Sequence, residues 1–104
     1  MRTIKFRIWD KQLKAFLYRL PEKHHLDWER FDVQQFTGLL DSKGKEIYEG
    51  DIIKFWEENF IEPITYSGCT FIAGKNGTGV PVDSLDCEKS VEVIGNIYEN
   101  PELI

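Results

Sequence analysis

The sequence holds little of what catalysis and metal binding usually require. There are two histidines, two cysteines and one methionine in 104 residues. Cys69 and Cys87 form no Cys-x-x-Cys pair, which excludes a compact redox or zinc motif and leaves two ordinary thiols. His24 and His25 are adjacent, so their side chains diverge in an extended chain. No second set of His, Cys and acids stands at ligand spacing, and neither a metal site nor a cofactor is expected. Gly74-Lys75-Asn76-Gly77-Thr78-Gly79 lacks both the Gly-Lys-Ser/Thr ending and the following helix of a phosphate loop. Glu57-Glu58, next to Asn59, reads as a solvated loop rather than an acid–base pair. With no nucleophile–base pair visible, no catalytic residue is assigned and the chain is expected not to be an enzyme. Long apolar runs are missing too. Nothing approaches the roughly eighteen residues of a membrane span, and Met1-Arg2-Thr3-Ile4-Lys5-Phe6-Arg7 threads charge through what a signal peptide keeps apolar. A cytoplasmic protein without membrane contact is expected.

What is present is aromatic and apolar surface. Seven Phe, four Tyr and three Trp make 13% of the chain, and 41% is apolar, which is enough to drive the folding of one domain over residues 1–104. Charge is uneven. Residues 1–30 carry eight basic and four acidic side chains, residues 31–104 five and fourteen, giving −5 overall. A basic patch on an acidic body can pair with a second copy, another protein or nucleic acid; an overall pI near 5.0 disfavours broad coating of nucleic acid.

Alternation organises the chain. Ile4, Phe6 and Ile8 are expected to face one way, and Lys5, Arg7 and Trp9 the other, toward solvent, on a strand over residues 4–9. A second strand over residues 15–20, ended by Pro21, closes a hairpin, although Leu13, Phe16, Leu17 and Leu20 also fit a helical period over residues 11–20. Residues 21–32 read as a connector and residues 33–104 as the core of the domain. Within that core, strands are expected over 33–38, 45–48, 52–56, 60–66, 69–73 and 90–98. Asp41-Ser42-Lys43-Gly44 and Glu49-Gly50-Asp51 are turn sequences, and Asn76-Gly77 signals a type I′ hairpin. Pro81 points to an edge strand. The fold class is therefore mainly β, a small barrel or β-sandwich with an N-terminal hairpin and at most short helical turns.

Three stretches carry a resemblance. They are Ile4-Lys5-Phe6-Arg7-Ile8-Trp9-Asp10, the block Gln35-Phe36-Thr37-Gly38-Leu39-Leu40-Asp41-Ser42-Lys43-Gly44-Lys45-Glu46-Ile47-Tyr48-Glu49-Gly50-Asp51-Ile52-Ile53-Lys54, and the C-terminal Val93-Ile94-Gly95-Asn96-Ile97-Tyr98-Glu99-Asn100-Pro101-Glu102-Leu103. Together they resemble the YopX family of small phage and prophage proteins; residues 21–34 and 57–88 show no such likeness. The resemblance implies a small SH3-like barrel and a bacterial host, and no known reaction. Gly50-Asp51-Ile52-Ile53 itself reads as a folding device: glycine for the turn, Asp51 to accept nearby N–H groups, and branched residues for the core. A smaller share of that reading goes to a recognition surface at Gln35 and Thr37.

The functional expectation is a non-enzymatic macromolecule-binding β domain, self-associating into a homo-oligomer or meeting a protein partner, with Lys5, Arg7, Trp9 and Arg19 as the candidate surface. The alternative is a nucleic-acid-binding module using the same four residues, with Tyr48, Tyr66 and Trp56 as further stacking candidates.

Overall fold

The computed structural model describes residues 4–19, 29–56 and 60–104. Two antiparallel sheets curl around one core. The first contains β1 (Phe6–Asp10), β2 (Ala15–Leu17), β3 (Phe31–Leu40) and β4 (Glu46–Tyr48) in the order β2-β1-β3-β4. The second contains β5 (Asp51–Phe55), β6 (Phe60–Ser67), β7 (Thr70–Lys75), β8 (Thr78–Pro81) and β9 (Val91–Asn96) in the order β8-β7-β6-β5-β9. A 3-10 turn at Val82–Ser84 and the single-turn helix α1 (Cys87–Ser90) lead into β9, and a second 3-10 turn covers Pro101–Leu103. The mainly β expectation stands. The helical alternative fails where it can be checked, because Ala15–Leu17 is strand; Leu20 and Pro21 lie outside the described residues. The terminal strand is shorter than expected, since Ser90 closes α1 and the ladder ends at Asn96.

The turns follow their sequences. Asn76 and Gly77 have φ of 55° and 76°, as a type I′ hairpin needs, and β7 and β8 pair on either side of them. Gly44, at φ 79°, closes the Asp41 turn, where Asp41 Oδ1 accepts the Lys43 and Lys45 N–H groups at 2.9 and 2.8 Å. β3 is longer than the alternation indicates because it bulges between Phe36 and Leu40. There the buried Thr37 hydroxyl donates to the Ile47 carbonyl at 2.7 Å and accepts the Leu39 N–H at 3.2 Å. Thr37 therefore holds backbone, and with Gln35 it also lines a small concavity of about 140 Å³. Pro81 ends β8, the outermost strand of its sheet.

Ile47, Ile53, Phe55, Ile64, Phe71, Val91 and Val93 form the main core, closed by Val82, Leu85 and Cys87. The sheets meet through few bonds. Ser42 donates to the Val91 carbonyl at 2.8 Å, Val93 N–H to Asp41 Oδ2 at 2.9 Å, and Gly50 N–H to the Ile64 carbonyl at 2.8 Å. The N-terminal hairpin is part of this body, since β1 lies between β2 and β3.

Candidate functional site

The expected solvent face of the first strand is turned inward. Register places Arg7 opposite Gln34, and Trp9 opposite both Phe16 and Asp32, so these side chains share one face of the first sheet. That face packs against the rest of the molecule: Arg7 is 5% exposed and Trp9 7%. Ile4 and Phe6, expected inside, are exposed, and Ile8 is buried. Alternation reports only that two faces differ. Here an arginine stays buried because all its surroundings suit it, which a count of apolar residues does not register.

Of the four candidate residues, Lys5 and Arg19 reach solvent and Arg7 and Trp9 do not. Lys5 pairs with Glu46 and lies 5.0 Å over the Phe36 ring. Trp9 stacks on Tyr98 with ring centroids 4.9 Å apart and meets Phe16 edge-on. Four of the N-terminal cations are paired within the chain: Lys5 with Glu46, Arg7 with Asp51 at 2.7 Å, Lys11 with Asp32 at 3.4 Å and Arg30 with Asp10 at 2.9 Å. Among the described residues, three of these pairs, Lys5–Glu46, Arg7–Asp51 and Lys11–Asp32, join the N-terminal strands to the acidic remainder, while Lys14 and Arg19 are exposed. Tyr48 is also buried, while Trp56 and Tyr66 are exposed. His24, His25, Glu57 and Glu58 lie outside the described residues.

Arg7 organises the junction. Its Nε donates to Gln34 Oε1 at 2.8 Å, and its Nη2 to Asp51 Oδ1 at 2.7 Å and the Glu49 carbonyl at 3.5 Å. The guanidinium carbon lies 4.2 Å from the centre of the Phe16 ring and 4.7 Å from that of Tyr48. Asp51 Oδ2 accepts the Tyr48 N–H at 2.8 Å, as the turn reading expects. Burial pushes the Asp51 carboxyl upward against the pull of Arg7 and of that N–H. Burial, with Glu46 beside it, also raises the Tyr48 phenol to about 12. A polar cleft of about 600 Å³ opens above this pair, walled by Phe16, Tyr18, Lys45, Asn96, Glu99 and Asn100.

A second concavity lies at the open end of the larger sheet. Phe55, Trp56 and Phe60 form a cluster with centroids 5.2 to 5.6 Å apart. With Ala73 and Val80 they line a mouth of about 470 Å³, flanked by Glu62 and Lys75. Trp56 and Phe60 are each 45% exposed, and Trp56 has φ 53°, a region that bulky side chains rarely occupy. The sequence carries one sign of this site, two aromatics bracketing the polar stretch 57–59. The cleft gives less warning, because its walls come from residues far apart in the chain. No group of three or more His, Cys, Asp or Glu is placed to hold a metal ion among the described residues, and no helix there is long and apolar enough to cross a membrane.

These features define a small two-sheet antiparallel β domain with a polar cleft at the sheet junction and an aromatic mouth at one end. Sequence comparison then places it: the chain belongs to the YopX family, whose model, described as YopX protein, matches residues 19–104. The match runs through both stretches where no likeness is expected, and it leaves β1 outside. The crystal structure of protein EF1440 from Enterococcus faecalis has the same fold, with TM-score 0.69, 24% identity, and coverage of 99% of this chain and 99% of that chain. No curated protein matches the sequence.

Proposed function

We propose that this chain is a non-enzymatic docking domain, an accessory protein of a phage or prophage, that self-associates through its aromatic mouth. The carrying observation is the exposed, closely packed pair Trp56 and Phe60, with Trp56 held in a left-handed backbone conformation. Covering the exposed part of each ring is worth about 2 kcal/mol at ~25 cal/mol per Å². Glu62 and Lys75 flank the mouth with opposite charges, which suits a protein surface better than a polyanion. Buried titratable groups support the absence of catalysis by being structurally engaged. Asp10, Asp41 and Asp51 accept backbone N–H groups, and burial pushes the Cys87 thiol up to about 11.

Sedimentation velocity across a micromolar concentration series tests the reading, with Trp56→Ser/Phe60→Ser as the variant and circular dichroism to confirm its fold. The expected result is reversible association that the variant weakens at least about tenfold. A wild-type chain that stays monomeric throughout, or a folded variant that associates equally well, overturns it.

A further inference from the structure

The cleft at the sheet junction is chemically distinct from the aromatic mouth and carries a site of its own. Arg7 has three nitrogens and the protein engages two of them: Nε on Gln34, Nη2 on Asp51 and the Glu49 carbonyl. Nη1 donates to no described residue. No fully enclosed side-chain nitrogen or oxygen among the described residues lacks a partner. Nη1 is therefore not fully enclosed, and Arg7 is among the residues that line the cleft. The Phe16 and Tyr48 rings both lie against the guanidinium, which together with the bonds from Nε and Nη2 restrains its remaining N–H groups before any ligand arrives.

The rest of the lining narrows the chemistry. Both oxygens of Asp51 are engaged, by Arg7 and by the Tyr48 N–H, and Glu99 Oε1 accepts from Asn96 Nδ2 at 2.9 Å. Lys45 on the wall forms no ion pair with a described residue, and Asn100 uses Oδ1 on the Asn96 N–H, leaving its amide donors over. Two uncommitted groups are cationic donors, Arg7 Nη1 and the Lys45 ammonium; they stand beside the second oxygen of Glu99, and an acceptor bearing negative charge complements the two cations. Asp51 and Glu99 offset Arg7 and Lys45 overall, so a single negative charge placed beside the two cations meets less repulsion from the acids than a doubly charged phosphate does. We infer that the cleft floored by Arg7 is a binding site for a carboxylate, received between Arg7 Nη1 and Lys45. The carboxylate belongs either to a small organic acid or to an acidic side chain of a polypeptide, and the cleft is large enough to take either.

Two-dimensional 15N NMR on the full chain tests this, with sodium acetate titrated against sodium chloride at matched ionic strength. Saturable shifts confined to the Arg7 side-chain N–H and the backbone amides of Tyr18, Lys45 and Asn96 are expected with acetate and not with chloride. A blocked peptide containing one Glu, run beside its Gln counterpart, distinguishes the sources: tighter binding of the Glu peptide than of acetate assigns the site to polypeptide, and weaker binding to free acids. Lys45→Gln, a change on the wall away from the core, is expected to weaken acetate binding about fivefold. The inference is overturned by shifts that chloride reproduces, by shifts that never saturate, by inorganic phosphate binding more tightly than acetate, or by a folded Lys45→Gln chain that binds unchanged.

Discussion

At Asp10, two backbone N–H groups and a two-pronged arginine converge on one enclosed carboxylate. Arg30 donates to it through Nε at 3.0 Å and Nη2 at 2.9 Å, and the Gln12 and Leu13 N–H groups reach Oδ1 at 3.0 and 3.2 Å. The Arg30 hydrogen bond, followed by the two N–H groups, outweighs the opposing effect of burial and lowers the acid from 3.8 to about 2. A carboxylate whose folded value lies below its unfolded one stabilises fully above the unfolded value. That stabilisation is lost as pH falls from near 3.8 toward 2. Thermal melts over this window are expected to show a pH-dependent loss of stability that is smaller in Asp10→Asn. An Asn variant with the wild-type pH slope rules this account out.

Among the elements, the turn between β4 and β5 is the most constrained. Gly50 has φ 88°, and a Cβ there would stand 1.8 Å from Gln34 Nε2. Gln34 cannot simply swing aside, because its Oε1 holds Arg7 Nε. Gly50→Ala is therefore expected to cost about 2 kcal/mol or more in urea denaturation, from backbone strain together with displacement of the Arg7 network. A loss below about 0.5 kcal/mol would show that the amide relaxes freely. This turn, the Asp41 turn and the Asn76-Gly77 hairpin were legible in the sequence because each rests on local chemistry that a few neighbouring residues supply. The facing of β1 was not. Its side chains are sorted by Asp51, Tyr98 and Phe16, which lie elsewhere in the chain, and apolar periodicity carries no record of a buried ion pair. The cleft was hidden for the same reason: Lys45, Asn100 and Arg7 become neighbours only once both sheets are in place.

For the molecule as a whole, cohesion between the sheets depends on a few buried polar contacts beside the core. Asp41 joins them most directly: Oδ1 closes its own turn while Oδ2 accepts the Val93 N–H of β9 at 2.9 Å. Asp41→Ala leaves that buried N–H without its acceptor and releases the turn, for an expected loss of about 2–4 kcal/mol in chemical denaturation. Asp41→Asn, which keeps one acceptor oxygen, is expected to recover part of the loss. Equal stabilities for the Ala variant and the wild type would mean that the core alone holds the sheets together.

The position of β1 bears on where this folding unit begins. Likeness to the family model starts at residue 19, yet the strand carrying Arg7 sits inside the first sheet and neutralises Asp51 in the second. Trimming the chain to the matched range would strip β3 of its neighbour over Phe31 to Gln35 and leave the buried Asp51 without its arginine. The border drawn by sequence likeness is therefore not the border drawn by packing, which reaches back at least to Phe6.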